Sequence, residues 1–416
     1  MAKVIIVGAG AAGMLASIFL AKAGHEVKVF EKNEKPGKKL YITGKGRCNV
    51  TNAGSREDLI SSVMGNKKFM YSAFGQFDNW DMIDFLNGIG VETKIERGNR
   101  VFPVTDKAIT VISKLENQMK KYHVDMYFHS RVEKLLKEEA KVCGIALENG
   151  KKHFADAVLV ATGGLSYPVT GSDGDGYRFA KDFGIESTEL YPSLVPFNVR
   201  EDYSRELMGL SLKNVSLSIW KDGKCLYEEF GEMMFTHFGI TGPLVLTASA
   251  NVGPILKRQE LKSYIDLKPA VTKEQLDARI LKIFDENKNK YFKNIIGGIL
   301  PSKLEPVIIS LSGINPDKKA NEITKKERES FIQVMKNFPL TLTGLREFKE
   351  AIITKGGISL KEIQPKTFES KKVKGLFFIG EVLDIDCLTG GFNLQVAWSS
   401  AVAAANYLNN NEAKFE

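Results

Sequence analysis

With 416 residues, 43% hydrophobic and 26% charged, the chain is long enough for more than one domain and has an ordinary soluble, globular composition. The net charge of +8 suits an anionic partner (nucleic acid, membrane surface or phosphorylated cofactor), although a lysine-rich surface alone produces the same excess. There is no uninterrupted run of eighteen apolar residues, which excludes a transmembrane helix, and the four scattered cysteines argue against a disulfide scaffold and a structural metal and for a reducing, cytoplasmic setting.

The first element is "KVIIV" (3–7), a continuous β-branched run that predicts a buried parallel strand. It leads into "GAGAAG", with Gly8, Gly10 and Gly13 in G-x-G-x-x-G register. Ala12, Leu15, Ala16, Phe19, Leu20 and Ala23 then recur at helical spacing, and Gly24 stands where a helix ends. Only one lysine precedes this apolar stretch and glycines punctuate it, so a secretory leader is not the reading. "VKVF" (27–30) is the second strand, ended by Glu31. Gly8 makes the turn, Gly10 lets backbone approach a pyrophosphate, and Gly13 lets helix and sheet pack closely. The helix N-terminus offers free N–H groups to phosphate, and an acid at position 31 suits ribose hydroxyls. That acid disfavours a 2′-phosphate, leaving NAD or FAD rather than NADP.

"GKKLYITGKGRCNVTN" (37–52) comes next. It is not a Walker loop, because Lys39 takes the place of the first glycine and Gly46 that of the Ser/Thr. Its glycines permit close approach, and Arg47 and Asn49 supply donors. "RVEKLLKEEAKVCGIALENGKKHF" (131–154) predicts a β-meander with a type I′ turn at Asn149-Gly150. "AVLVA" (157–161) is a further strand, ending in Thr162-Gly163-Gly164. The stretch Val195 to Pro269 alternates like β structure, and 272–338 is helical, amphipathic and lysine-rich. "LFFIG" (376–380) is followed by Glu381, Asp384, Asp386 and Thr389-Gly390-Gly391, which opens an Ala/Val-rich helix. The bland reading of the two aspartates is a cap or turn pair. One fingerprint followed by a meander and two more strand-to-glycine turns points to FAD in an α/β Rossmann-like domain.

These motifs resemble the HI0933-like flavoproteins of bacteria and archaea, distantly related to the fumarate-reductase and succinate-dehydrogenase flavoproteins. The matching stretches include "VIIVGAGAAGMLAS", "EKNEKPGKKLYITGKGRCNVTN", "RVFPVTDKA", "YPSLVPF", "GEMMFTHFGITGP" and "GLFFIGEVLDIDCLTGGFNLQVAWSSA", and they run from end to end. The resemblance implies a discontinuous FAD-binding domain (1–190 and 345–416), an inserted β-barrel-like domain (191–271 plus about 339–344) and a helical insertion (272–338). It also implies a cradle for non-covalent FAD. That cradle comprises Gly8, Gly10, Ala11, Ala12, Gly13, Glu31, Lys32, Lys39, Gly46, Arg47, Cys48, Asn49, Val132, Ala161, Thr162, Gly163, Gly380, Glu381, Asp386, Gly390, Gly391, Phe392 and Asn393. Two residues depart from the family pattern: Cys387 and Lys45 stand where glycine is more usual.

No classical catalytic constellation is present, and no metal site is expected. Cys48 and His237 are the candidates for chemistry, against plainer readings as a packing residue and a structural histidine. Arg97 and Arg100 could bind an anion, or simply form ion pairs. The leading expectation is an FAD-dependent oxidoreductase acting on a small organic substrate, with NAD(P)H as a transient reductant. The alternatives are a flavin oxidase passing electrons from a small amine or amino ketone to O2, and a flavin-containing nucleic-acid-binding or RNA-modifying protein. Lysines interleaved with acids, as in "TKKERES", place nucleic acid behind a small-molecule partner.

Overall fold

The computed structural model describes residues 1–411. The chain divides into two compact units, Met1–Ser193 with the stretch from Phe348 onward, and Leu194–Glu347.

The first unit is built on five parallel strands: β1 (Lys3–Val7), β2 (Glu26–Phe30), β3 (Asp125–Tyr127), β4 (Ala157–Val160) and β5 (Leu376–Phe378). Their spatial order is β5-β4-β1-β2-β3. The apolar runs behave as a doubly covered sheet requires: Val4, Ile5 and Ile6 of β1 and all of β4 are buried. Helix α1 (Ala11–Lys22) packs against α2 (Phe392–Asn409). Both contribute buried small residues, Ala12, Gly13 and Ala16 from α1 and Ala401, Ala403, Ala404 and Ala405 from α2. Small side chains on both surfaces let the axes come close and bring the start of α2 into the first unit's nucleotide-binding half. Gly24 takes φ +98 just past α1, as a helix-ending glycine should.

The meander forms as an antiparallel sheet of Val132–Glu138, Lys141–Leu147 and Lys152–Phe154. Its second turn differs from expectation. A type I′ turn needs positive φ at both central residues, yet Gly150 takes φ +81 while Asn149 is not among the left-handed residues. The Asn149 side chain instead accepts from the Lys151 backbone N–H at 3.0 Å, a local bond that holds the turn without strain at Asn149.

In the second unit six strands close into a barrel: Phe197–Val199, Gly239–Thr241, Lys224–Phe235, Ser211–Lys221, Leu261–Asp266 and Phe338–Leu345, in that order around it. Closure leaves no unpaired edge. Between the last two barrel strands lie the helices Lys273–Glu286, Glu305–Ser312 and Lys325–Lys336. Phe284, Phe292 and Phe331 share one apolar core with Phe235 and Phe338 of the barrel, so helices and barrel form a single packed body. No helix among the described residues is long and apolar enough to cross a membrane.

Candidate functional site

The site is organised by the C-terminal edge of the parallel sheet. From β1 the chain crosses by α1 to β2 on one side, while β4 flanks β1 on the other. The loops leaving β1 and β4 therefore diverge at the point where such sheets take nucleotides. Before diverging, their first residues pack against each other. A Cβ on Gly8 (φ +105) would lie 2.6 Å from the Ala161 carbonyl oxygen, and one on Gly13 would lie 2.0 Å from the Gly8 oxygen.

Gly10 is different. Its φ of −80 is open to any residue, and a Cβ there would meet no protein atom within 4 Å. Neither backbone conformation nor internal packing accounts for glycine at this position. Room for a ligand to approach the backbone would. Helix α1 starts directly behind it, with no side-chain cap and no acid in its first turn. The first-turn N–H groups of Ala11, Ala12 and Gly13, left over by helix geometry, are thus suited to an anion.

Glu31 at the end of β2 is buried, 8% exposed. One carboxylate oxygen accepts the Ala9 N–H at 2.8 Å, and the other accepts the Asn33 backbone and side-chain N–H at 2.9 and 2.7 Å. A carboxylate has about four acceptor positions, so one remains for a ribose hydroxyl. Asn33 reaches on to the Thr170 carbonyl at 3.0 Å. Beside it an open groove is lined by Lys32, Asn33, His129, Arg131 and Asp173. Val132, buried next to Arg131, begins the meander strand at this end.

Lys32 makes ion pairs with Asp173 at 2.5 Å and Asp175 at 2.9 Å, and Arg131 joins the same two carboxylates. Burial pushes the Asp175 carboxyl up, but Lys32, Arg178 and Arg131 outweigh it and bring it down to about 2. The ammonium of Lys32 is therefore anchored on this acidic pair. Lys39 bonds Glu381 at 2.9 Å and Ser166 at 3.0 Å. A Cβ on Gly163 would lie 3.6 Å from the Lys39 Nζ and 2.6 Å from the Ser172 hydroxyl. Gly380 (φ +74), Glu381, Ala161, Thr162 and Gly163 thus gather at the ends of β4 and β5.

The "GKGRCN" stretch leads from this edge toward α2. The Trp398 indole donates to the Val50 carbonyl at 2.9 Å, Thr51 bonds Gln395 at 2.6 Å, and Asn52 donates to the Gly390 carbonyl at 3.0 Å. A Cβ on Gly391 would come within 2.3 Å of the Thr51 carbonyl oxygen. Helix α2 also opens without a side-chain cap, after Gly391 at φ +101. Phe392 is its first residue. Asn393 clamps the preceding loop, accepting the Cys387 N–H at 2.8 Å and donating to the Cys387 carbonyl at 3.0 Å. Asp386 is 3% exposed and faces Lys355, whose ammonium lies 3.3 Å from each carboxylate oxygen. Burial pushes its carboxyl up, against the pull of Lys355.

Arg47 is committed elsewhere. Its guanidinium pairs with Asp106 and Glu96 and lies over the Phe102 ring at 4.1 Å. Its neighbour Asn49 has a buried side-chain oxygen with no partner within the protein. A buried acceptor left unpaired costs about 1–3 kcal/mol, so a donor from a ligand would suit it. Thr162 also has an unpartnered buried hydroxyl, but a Cβ on Gly176 would lie only 2.4 Å from it, so it faces a neighbouring helix.

Lys45 adopts φ +59, between Gly44 (φ +57) and Gly46 (φ +85). Its side chain is exposed, so nothing offsets the left-handed strain of about 1–2 kcal/mol. Lys45→Gly is expected to stabilise the fold by about 1 kcal/mol in urea denaturation; an unchanged or lower midpoint would contradict this.

Cys48 and Cys387 are completely buried. Burial pushes both thiols up to about 12, despite hydrogen bonds with Thr43 and Ser62 respectively that pull the other way. Both are thiols, not thiolates, through the neutral range. In the native protein a thiol reagent is expected to titrate at most Cys143 and Cys225, which are partly exposed, until denaturant is added. Four rapid thiols would refute the placement. His237 lies in the second unit, exposed in the turn that joins Lys224–Phe235 to Gly239–Thr241, its ring 5.0 Å from that of Phe238. Arg97 and Arg100 are both exposed, and Arg100 donates to the Arg97 carbonyl at 3.0 Å.

Sequence reasoning missed Ser166, Thr354 and Lys355, which hold Glu381 and Asp386. It also missed Glu96 and Asp106, the partners of Arg47. Each lies tens to hundreds of residues from its partner. The only local signal was that buried acids need donors.

A family model described as the HI0933-like protein Rossmann domain matches residues 2–407. The ribosomal RNA dihydrouridine synthase of Escherichia coli strain K12 is 32% identical over 405 residues, covering 97% of each chain. The 3-dehydro-bile acid delta(4,6)-reductase of Clostridium scindens is 31% identical over 407 residues, covering 97% of this chain and 98% of its own. Among solved structures, the 3-ketosteroid delta1-dehydrogenase of Sterolibacterium denitrificans superposes with a TM-score of 0.56 at 13% identity, covering 98% of this chain and 99% of its own. That last likeness is one of fold.

Proposed function

The chain belongs to the HI0933-like family of flavoprotein oxidoreductases, and from that premise we propose that it binds FAD non-covalently and uses it to reduce a carbon–carbon double bond conjugated to a carbonyl, with NAD(P)H as reductant. The observation that carries the cofactor reading is the empty space at Gly10 in front of an uncapped helix. FAD supplies two-electron hydride chemistry that no side-chain set in this chain offers. The residues supply its place. The start of α1 would receive the pyrophosphate, Glu31 a ribose hydroxyl and Glu381 the polyol chain. Asn49 would offer its unpaired oxygen, and the uncapped start of α2 would offer N–H groups to negative charge on the cofactor.

The reaction class rests on two relatives of equal similarity. Dihydrouridine differs from uridine by saturation of the ring double bond conjugated to a carbonyl, and a 3-keto steroid with unsaturation at positions 4 and 6 presents the same electronic problem. One hydride delivered to the electron-poor carbon, with a proton to its neighbour, serves both. Both substrates carry negative charge, RNA on its phosphates and a bile acid on its carboxylate, and a net charge of +8 suits either.

The test is anaerobic. NADH or NADPH should bleach the visible flavin band of the purified protein. Unmodified ribosomal RNA should then restore the band and acquire dihydrouridine. Restoration by a 4-en-3-oxo steroid and not by RNA assigns the small-molecule substrate. Bleaching by an amine, with peroxide formed in air and no response to NAD(P)H, would overturn the reductase reading in favour of an oxidase.

A further inference from the structure

We propose that Thr354 is a positioning residue of the cofactor site, acting through Glu381; the proposal rests on the FAD reading above. Thr354 is the middle residue of the short strand Ile353–Lys355 and is completely buried. Its hydroxyl oxygen accepts two backbone N–H groups, Leu165 at 2.7 Å and Ser166 at 3.1 Å. Its own N–H donates to the Glu381 Oε1 at 3.0 Å. One threonine therefore ties together the loops that leave the adjacent strands β4 and β5. The fit is tight: a Cβ on Gly164 would lie 2.4 Å from the Thr354 hydroxyl oxygen.

These bonds decide which face of the Glu381 carboxylate is used. Oε1 accepts Thr354 N–H and the Ser166 hydroxyl at 2.5 Å, which fills its two acceptor positions. Oε2 accepts Lys39 at 2.9 Å and keeps one position. The carboxylate is thus fixed from three sides, with a single oxygen left to accept a hydroxyl from a ligand. Thr354 also seats Ser166, by holding its backbone N–H, so losing the threonine hydroxyl frees the loop of Leu165 and Ser166 and loosens the Ser166 support, while the Thr354 N–H stays in place. The next residue, Lys355, pairs with buried Asp386, as expected for side chains that alternate across a strand. The strand itself is held by antiparallel pairing with Tyr191–Ser193. A rigid strand that aligns an acid by hydrogen bonds is what a preorganised hydroxyl acceptor requires.

The experiment compares wild type, Thr354→Val, Thr354→Ser and Ser166→Ala. FAD affinity of the apo-protein is read by quenching of flavin fluorescence, and melting temperature is read without FAD. Valine keeps the shape and the backbone N–H but cannot accept. Thr354→Val is expected to weaken FAD binding by about tenfold or more, Ser166→Ala by less, and Thr354→Ser to stay within about threefold of wild type. A merely structural role predicts a lower apo melting temperature for Thr354→Val with FAD affinity within threefold of wild type, and that result overturns the proposal. If Thr354→Val does not fold, Ser166→Ala decides: wild-type FAD affinity there overturns it equally. If wild type itself takes up no FAD, the cofactor reading has failed, and this proposal fails with it.

Discussion

Gly10→Val should give a folded protein that no longer holds FAD. Position 10 has backbone angles that valine adopts freely, and a Cβ there would meet no protein atom within 4 Å. The stability cost is that of a poorer helix cap, about 1 kcal/mol or less. The cost to binding is far larger. Two methyl groups would fill the space in front of the Ala11, Ala12 and Gly13 N–H groups, where a pyrophosphate must come close. FAD affinity is expected to fall by about a hundredfold or more, equivalent to about 2.7 kcal/mol. Urea denaturation of the apo-protein and FAD titration of the same sample separate the two effects. Wild-type FAD affinity in this variant would mean that the space serves some other purpose.

Gly13→Ala, three residues along the same helix, should fail for the opposite reason. The added methyl would lie 2.0 Å from the Gly8 carbonyl oxygen and 3.3 Å from an Ile6 methyl carbon. The first neighbour belongs to the β1–α1 connection and the second to β1 itself, and the closer one is backbone, which no rotamer change can clear. Helix α1 must lift from the sheet, disturbing its packing on α2. Overpacking of this kind costs about 1–3 kcal/mol, and a backbone clash places it at the upper end. The expected result is a urea midpoint well below wild type in the apo-protein, with FAD binding lost as a consequence. A stable Gly13→Ala protein would contradict the close helix–sheet contact.

The contrast between these glycines shows what a single chain discloses. The register G-x-G-x-x-G, the strand before it and the acid at position 31 are local, so β1, α1 and β2 could be read from spacing. The β structure of 195–269 was legible from alternation and the helices after it from amphipathic periodicity, whereas a barrel was implied only by the family resemblance. Partnerships across long separations were not. Arg47 looked like a donor for the cofactor because nothing nearby competes for it in sequence. In three dimensions Glu96 and Asp106 take it, and Lys32 goes to Asp173 and Asp175. Cys48 was a candidate for chemistry against a plainer reading as a packing residue, and its complete burial, which keeps its proton in place, fits the plainer one. Thr354 carries no motif at all. Its role comes from lying between two loops that the chain makes about 190 and 30 residues away. Such residues are set by topology, which a pattern of residue types does not encode.

If this sheet edge holds one FAD without a covalent bond, denaturing the purified, FAD-reconstituted protein and identifying the released flavin will show it. One FAD per chain is expected, all of it freed by acid into the supernatant. Protein that carries no flavin after reconstitution, or flavin that stays attached to the precipitated chain, would contradict it.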